Sequence, residues 1–279
     1  MPFIYSNKTK LYYKEFGTGN PILVLHGGPG VDHKYMLNLK ALSKYYRLIF
    51  VDQRGNGKSK ITNYDTLTFK YFTSDLENIR KHLKIDKWIV IGHSFGGFVA
   101  LEYVLRYAQR VSQLVLIDTG FDAVQVQKEA PKILLKWGYP EKVSKWAYKF
   151  FNGNISLFQI PYAFLKFGKA YFYKYNIKIF LKSISGKHTL KTVHLWFKEY
   201  FTGWDLKNKL SLIKNPTLII VGEKDFQFPP EYQRIMAKRI KNSQLYIIEK
   251  AGHNTPIECP DELISLMLSF FKHKTAKER

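Results

Sequence analysis

Four consecutive apolar residues, Trp88-Ile89-Val90-Ile91, run without a spacer into Gly92-His93-Ser94-Phe95-Gly96, and a helical stretch, Phe98 to Tyr107, follows at once. A strand, a sharp turn and a helix in that order leave few folds open, and they lift the central residue of the turn, Ser94, out of the backbone around it. The turn is strained and crowded, so a Cβ at Gly92 or Gly96 would meet neighbouring backbone. Ser94 is therefore a candidate nucleophile. Tight strand-to-helix packing alone also produces such a pentapeptide, so the reading depends on what accompanies it.

Three further stretches accompany it. Ile22-Leu23-Val24-Leu25 ends in His26-Gly27-Gly28-Pro29-Gly30, a glycine-rich turn whose free N–H groups can hold a developing oxyanion together with the N–H of Phe95. Thr217 to Val221 runs into Gly222-Glu223-Lys224-Asp225, and Leu245 to Ile248 leads to Ala251-Gly252-His253. Serine, acid and histidine thus follow one another in chain order, each just past the C-terminal end of an expected strand. In an open α/β sheet those ends line one edge, where groups distant in sequence converge. Convergence is what the chemistry needs, because a serine hydroxyl attacks only when an imidazole takes its proton and a carboxylate orients that imidazole.

Asp118, after Leu114-Val115-Leu116-Ile117, is a rival for the acid, with Asp225 preferred. His93, just before Ser94, points away along the strand pleat and is expected to line the elbow and the substrate site rather than act as base. His26 is expected to tie down its own loop, and Asp52 and Arg54 to structure the loop after their strand, with Arg54 also within reach of substrate.

With His26 to Gly30, Asp52-Gln53-Arg54-Gly55-Asn56-Gly57-Lys58-Ser59, the serine elbow, Gly222 to Asp225 and Gly252-His253 in this order, the chain resembles the α/β-hydrolases, and within them the proline iminopeptidase-like branch. The resemblance covers about residues 10 to 120 and 206 to 273. It implies a serine hydrolase working through an acyl-enzyme, with Ser94, Asp225 and His253 as triad and Gly28 and Phe95 as oxyanion donors. Related esterases, lactonases and carbon–carbon bond hydrolases share much of the set. Strict iminopeptidases commonly carry Trp after the serine and a second small residue beyond it, whereas this elbow reads His93-Ser94-Phe95-Gly96-Gly97.

Strands are predicted near residues 11–16, 21–26, 47–52, 88–92, 112–117, 216–221 and 244–248, with helices from Phe72 to Leu83, Phe98 to Tyr107, Pro230 to Ile240 and Pro260 to Phe271. Nearly continuous apolar strands alternating with helices imply a mostly parallel sheet covered on both faces. Residues 1–120 and 206–279 are expected to form this core, and residues 121–205, helical from Val124 to Trp137, Glu141 to Phe151, Phe158 to Phe180 and Leu190 to Phe201, a cap inserted over the sheet edge. That cap holds 21 of the 45 aromatics, no arginine, and only the acids Asp122, Glu129, Glu141, Glu199 and Asp205. Most of the aromatics are expected to form its own core and the rest an apolar pocket.

Length and charge bound what remains. At 279 residues, one large domain with an insertion fits. No apolar run approaches the ~20 residues of a membrane helix, and the start lacks the pattern of a signal peptide. With a single cysteine, Cys259, read as a buried structural thiol, this places the protein in the cytoplasm. The net charge of +22 comes from dispersed lysines without a nucleic-acid motif, so nucleic acid is not an expected partner; a solvated lysine-rich surface with some attraction to anionic surfaces is the preferred reading, and Tyr162 to Lys182, which suits an amphipathic surface helix, is read first as an ordinary cap helix. No metal-ligand spacing or phosphate loop occurs, and the chemistry needs no cofactor.

The substrate is expected to be a small molecule or short peptide. The leading expectation is release of an N-terminal proline or similar residue, with a carboxylesterase or lactonase as the alternative and a ligand-binding receptor with vestigial hydrolysis behind both. An iminopeptidase must hold a free amino group, which calls for a cap carboxylate; Glu199, beside Trp196, is the first candidate and Asp205 the second, ion pairing to nearby lysines being the competing fate of both.

Overall fold

The structure is a computed structural model and describes residues 2–275. Eight strands, β1 Phe3–Ser6, β2 Thr9–Phe16, β3 Pro21–Leu25, β4 Arg47–Asp52, β5 Trp88–His93, β6 Val111–Ile117, β7 Thr217–Gly222 and β8 Ser243–Ile248, form one sheet in the order β1-β2-β4-β3-β5-β6-β7-β8. The six strands from β4 to β8 along that order are parallel, and β1 and β2 are antiparallel additions at one edge. The helices are α1 Phe69–His82, α2 Phe95–Arg106, α3 Ala130–Lys136, α4 Glu141–Phe151, α5 Ile160–Phe167, α6 Ile177–Ser183, α7 Leu190–Leu195, α8 Pro230–Arg239, α9 Thr255–Glu258 and α10 Pro260–Thr275.

Alternation along each strand splits the core in two. Leu23, Leu25, Val90, Leu114, Leu116 and Ile219 face α1, α2 and α8. Their neighbours Ile22, Val24, Ile91, Val115, Ile117 and Ile220 pack with the helical turns His33–Lys44 and with α10. Both faces are covered, which is why these strands read as unbroken apolar runs.

β1 is an addition to the predicted strands. It is four residues long and pairs only with β2, through a turn in which Asn7 and Lys8 both take positive φ. A two-residue hairpin demands that geometry, but a lysine there gives little sequence signal. The turns His33–Lys44 were not predicted either. α2 begins three residues earlier than expected, because the chain enters the helix directly after Ser94 and Gly96 lies in its first turn. A Cβ at Gly96 would fall against the carbonyls of Leu25 and His26, so the glycine sets how closely α2 approaches β3.

Residues 121 to 205 carry helices and no strand. Their two ends are tied by an isolated bridge between Asp122 and Asp205, with Ala123 N–H on Trp204 O at 2.8 Å and Leu206 N–H on Phe121 O at 2.8 Å. The predicted helix from Phe158 to Phe180 is broken. α5 ends near Gly168, an extended link carries Phe172 to Asn176, and the Asn176 side chain accepts from Lys178 N–H to start α6. The break lets Tyr171 O accept the N–H of His253 at 2.9 Å.

Candidate active site

Chain order β3, β4, β5 against the spatial order β4-β3-β5 means that the connections after β3 and after β5 leave on opposite sides. The crevice at their C-terminal ends is the switch point where open α/β sheets hold ligands. The loop from His26 to Gly30 leaves β3 there, and Ser94 leaves β5 beside it.

Ser94 has φ 50° and ψ −119°, a strained conformation for a residue with a side chain. The surroundings hold it: its N–H donates to Ile117 O at 3.0 Å, and its carbonyl accepts from Gly97 N–H at 2.8 Å and from the Thr119 hydroxyl at 2.7 Å. His253 Nε2 lies 2.9 Å from Ser94 Oγ, and His253 Nδ1 lies 2.9 Å from Asp225 Oδ2. The other oxygen of Asp225 accepts the N–H groups of Gln227 and Phe228, at 2.8 and 3.1 Å. All three side chains are buried. With Asp225 ionised, Nδ1 carries the imidazole proton and Nε2 is left to accept from serine.

Asp118 is not brought to the imidazole. It accepts from Gly222 N–H at 3.0 Å, Thr255 N–H at 3.1 Å and the Thr255 hydroxyl at 2.7 Å, which fastens the two loops carrying Asp225 and His253 to the end of β6. His93 closes a second chain. Its Nε2 donates to His253 O at 2.9 Å, so its Nδ1 is the acceptor for the Tyr35 hydroxyl at 2.6 Å, and the Tyr35 oxygen in turn accepts Gly27 N–H. The imidazole before the nucleophile thus connects the histidine loop to the glycine-rich loop. Tyr35 carries no sequence signal for this role, because its partners lie 8 and 58 residues away.

Among the described residues, the N–H groups of Gly28 and Phe95 have no acceptor. Gly28 has φ 116°, where a side chain would be strained, and Phe95 is the first residue of α2, where the helix dipole adds partial positive charge. His26 ties its loop as expected: Nε2 accepts Gln53 N–H at 3.2 Å, and burial pushes its pKa down toward the neutral form. Arg54 is buried on Asp75, with nitrogens 2.7 and 2.9 Å from the two carboxylate oxygens, and is not part of the cavity wall; Asp52 holds His33 and Lys58 N–H.

Ser94 and His253 open into a cavity of about 650 Å³. Phe150, Phe151, Phe164, Phe172, Phe180 and Phe197, all from the helical segment, give its apolar wall an aromatic character. Its polar groups are Ser94, Ser183, Gln227, Asn254, three histidines (His93, His188, His253) and the hydroxyls of Tyr35 and Tyr171. Among the described residues, no carboxylate and no lysine or arginine lines it.

The expectation that Glu199 or Asp205 faces this space is corrected. Glu199 is exposed on the outer side of the turn Trp196–Tyr200, and Asp205 is exposed and accepts Lys207 N–H. Nor does Trp196 reach the cavity: it is buried behind the elbow, edge-on to Phe95 at 4.7 Å and Phe69 at 5.2 Å, where it fastens the helical segment to α2. The physical reason lies in helix phase, since the face that buries Trp196 and Phe197 turns Lys198 and Glu199 to water.

Burial alone would lower the pKa of His253; the Asp225 charge and hydrogen bond outweigh it, Asp118 and Glu258 add to them, and the net direction is upward from about 6.5. Glu258, which accepts Gly252 N–H and Tyr173 N–H, is pushed up to about 7, chiefly by burial. A base must be neutral, so the acid limb of kcat/KM is expected to rise with pH around a midpoint above about 6.5. A limb that persists in Glu258→Gln, its midpoint lowered only slightly by loss of that charge, assigns it to His253. A midpoint well below 6.5 would contradict the placement of Asp225.

A model of the alpha/beta hydrolase fold matches residues 20–260, and the chain belongs to that family of hydrolases. Curated relatives that it resembles include several named proline iminopeptidase. A proline iminopeptidase of Thermoplasma volcanium is 29% identical over 94% of this chain and 93% of its own length. Among solved structures, an esterase from Exiguobacterium antarcticum matches with TM-score 0.77 and 27% identity, covering 97% of this chain and 98% of that one. A proline iminopeptidase of Mycobacterium smegmatis reaches TM-score 0.80 at 20% identity over 99% of both chains, a likeness of fold.

Proposed function

We propose that the protein is a serine esterase acting through an acyl-enzyme on neutral, apolar acyl substrates, with residues 121–205 as its cap. The observation that carries this reading is the cavity wall: aromatic, about 650 Å³, and without a carboxylate to hold a substrate ammonium group. An unpaired ammonium ion taken into such a space costs several kcal/mol, more than one apolar contact returns.

Ser94 Oγ attacks the acyl carbon as its proton passes to His253 Nε2. The tetrahedral oxyanion takes hydrogen bonds from the N–H groups of Gly28 and Phe95. His253 then gives the proton to the leaving alcohol, and the acyl group stays on Ser94. Water attacks that ester while His253 takes its proton, and the collapse releases the acid and returns the proton to Ser94. Asp225 keeps the imidazole in its tautomer throughout.

The names of curated relatives favour a second reading, release of N-terminal proline. The two are separated by measuring kcat/KM on p-nitrophenyl butyrate and octanoate, on proline p-nitroanilide and on its N-acetyl form. The esters are expected to be turned over at least about 100-fold faster than the free-amine amide, acetylation is expected not to slow the amide, and Glu199→Gln is expected to change none of them by more than about twofold. Preference for the free amine, lost on acetylation, would establish the peptidase reading instead. A single cysteine suits a reducing compartment, and we place the reaction in the cytoplasm.

A further inference from the structure

The 57 residues from Lys142 to Lys198 contain eleven lysines and no aspartate, glutamate or arginine. Among the described residues, the side-chain amines of Lys166, Lys169, Lys174, Lys178, Lys182 and Lys187 have no carboxylate partner. Interleaved with them stand apolar side chains that the fold leaves in water: Phe158 is 91% exposed, Leu165 66%, Ile177 56% and Leu181 55%. Phe158, in the turn just before α5, and Tyr162 and Leu165 on its outer face follow helical spacing, opposite buried Ile160, Ala163 and Phe167; Ile177 and Leu181 stand exposed one turn apart on α6, whose buried side chain is Phe180. Tyr173 and Tyr175, 45% and 38% exposed, lie on the link between them. α5 and α6 meet where Gly168 packs on Phe180.

We infer that this α5–α6 face docks on an anionic phospholipid surface. Lysines supply the attraction to lipid phosphates, and the exposed Phe, Leu and Ile side chains supply burial in the interfacial region, with the tyrosines at headgroup level. An acidic protein would satisfy the lysines but would not call for isolated, highly exposed apolar side chains among them. The same two helices line the cavity on their inner side, through Phe164 of α5 and Phe180 and Ser183 of α6, with Leu165 at the rim. Leu165 is both cavity wall and exposed surface, so the cavity wall reaches the docking face at that residue. If the proposed esterase reading holds, an acyl ester dissolved in the lipid surface enters without crossing water. No helix of the described residues is long and apolar enough to cross a membrane, which leaves surface contact as the mode.

The test uses the full chain with Ser94→Ala, so that no lipid is hydrolysed, and sedimentation with phosphatidylcholine vesicles with or without about 30 mol% phosphatidylglycerol. Binding is expected only with the anionic lipid, and release at about 0.5 M salt. Lys166→Gln, Lys174→Gln and Lys178→Gln together are expected to weaken it about 100-fold, at about fivefold per charge. Phe158→Ser, Ile177→Ser and Leu181→Ser together are expected to weaken it at least about tenfold. No sedimentation at millimolar anionic lipid overturns the proposal, as does equal binding to both vesicles. Loss with the lysine set but not with the serine set overturns it too, since that is plain charge adhesion. Both sets, made with Ser94 in place, are assayed on a water-soluble p-nitrophenyl ester, where turnover within about twofold of wild type is expected. That assay also keeps the outcomes apart, since docking is read without chemistry and chemistry without lipid.

Discussion

Ser94→Ala is expected to lower kcat by about 10⁶-fold while the protein keeps its fold, because the whole relay from Asp225 through His253 ends on one oxygen atom. The geometry adds a reason for the fold to survive. The elbow is held by backbone bonds to Ile117, Gly97 and Thr119, none of which uses Ser94 Oγ. A fluorophosphonate should label the wild type at Ser94 and leave the variant unlabelled, with melting curves that coincide. Wild-type turnover in the variant, or a label on Tyr35 or Cys259, would remove Ser94 from the mechanism.

Asp225→Asn is expected to cost 10³- to 10⁴-fold in kcat, on the order found when a triad acid becomes an amide. At position 225 the amide oxygen can keep the bonds from Gln227 and Phe228 N–H. Its NH₂ then faces His253 Nδ1 and forces the proton to Nε2, where it blocks the proton of Ser94. Asp118→Asn should divide differently. Its two oxygens accept three donors with no solvent access, and an amide leaves at least one of them unpaired, a loss of about 1–3 kcal/mol of stability. The folded fraction should keep kcat within about tenfold, because Asp118 does not touch the ring of His253. Denaturant midpoints and kcat measured on both variants check the assignment; the reverse ranking would move the acid to Asp118.

Much of the sheet was legible because a parallel strand covered on both faces must be apolar throughout, as Ile22 to Leu25 and Leu218 to Val221 are. The elbow was legible for a related reason: glycines at 92 and 96 record how near the backbone of α2 comes to β5 and to β3. Edge and turn elements were harder to see. β1 is too short to show a period, and the break between α5 and α6 follows from the docking of Tyr171 against His253, a contact 82 residues long.

Ser94, Asp225 and His253 could be named from sequence because each follows a recognisable strand, and the C-terminal edge of a parallel sheet is a fixed place. The wall of the cavity could not. Whether Glu199 or Phe197 faces the cavity differs by two positions on a single helical turn, and that phase is set by Trp196 seating against Phe95, a residue 101 positions away. The tie from Gly27 through Tyr35 and His93 to His253 likewise joins four separate segments. Local sequence fixes backbone periodicity and the loops where chemistry can stand. Which side chains share a cavity depends on how helices rotate as they pack, and that is decided only when distant apolar surfaces meet.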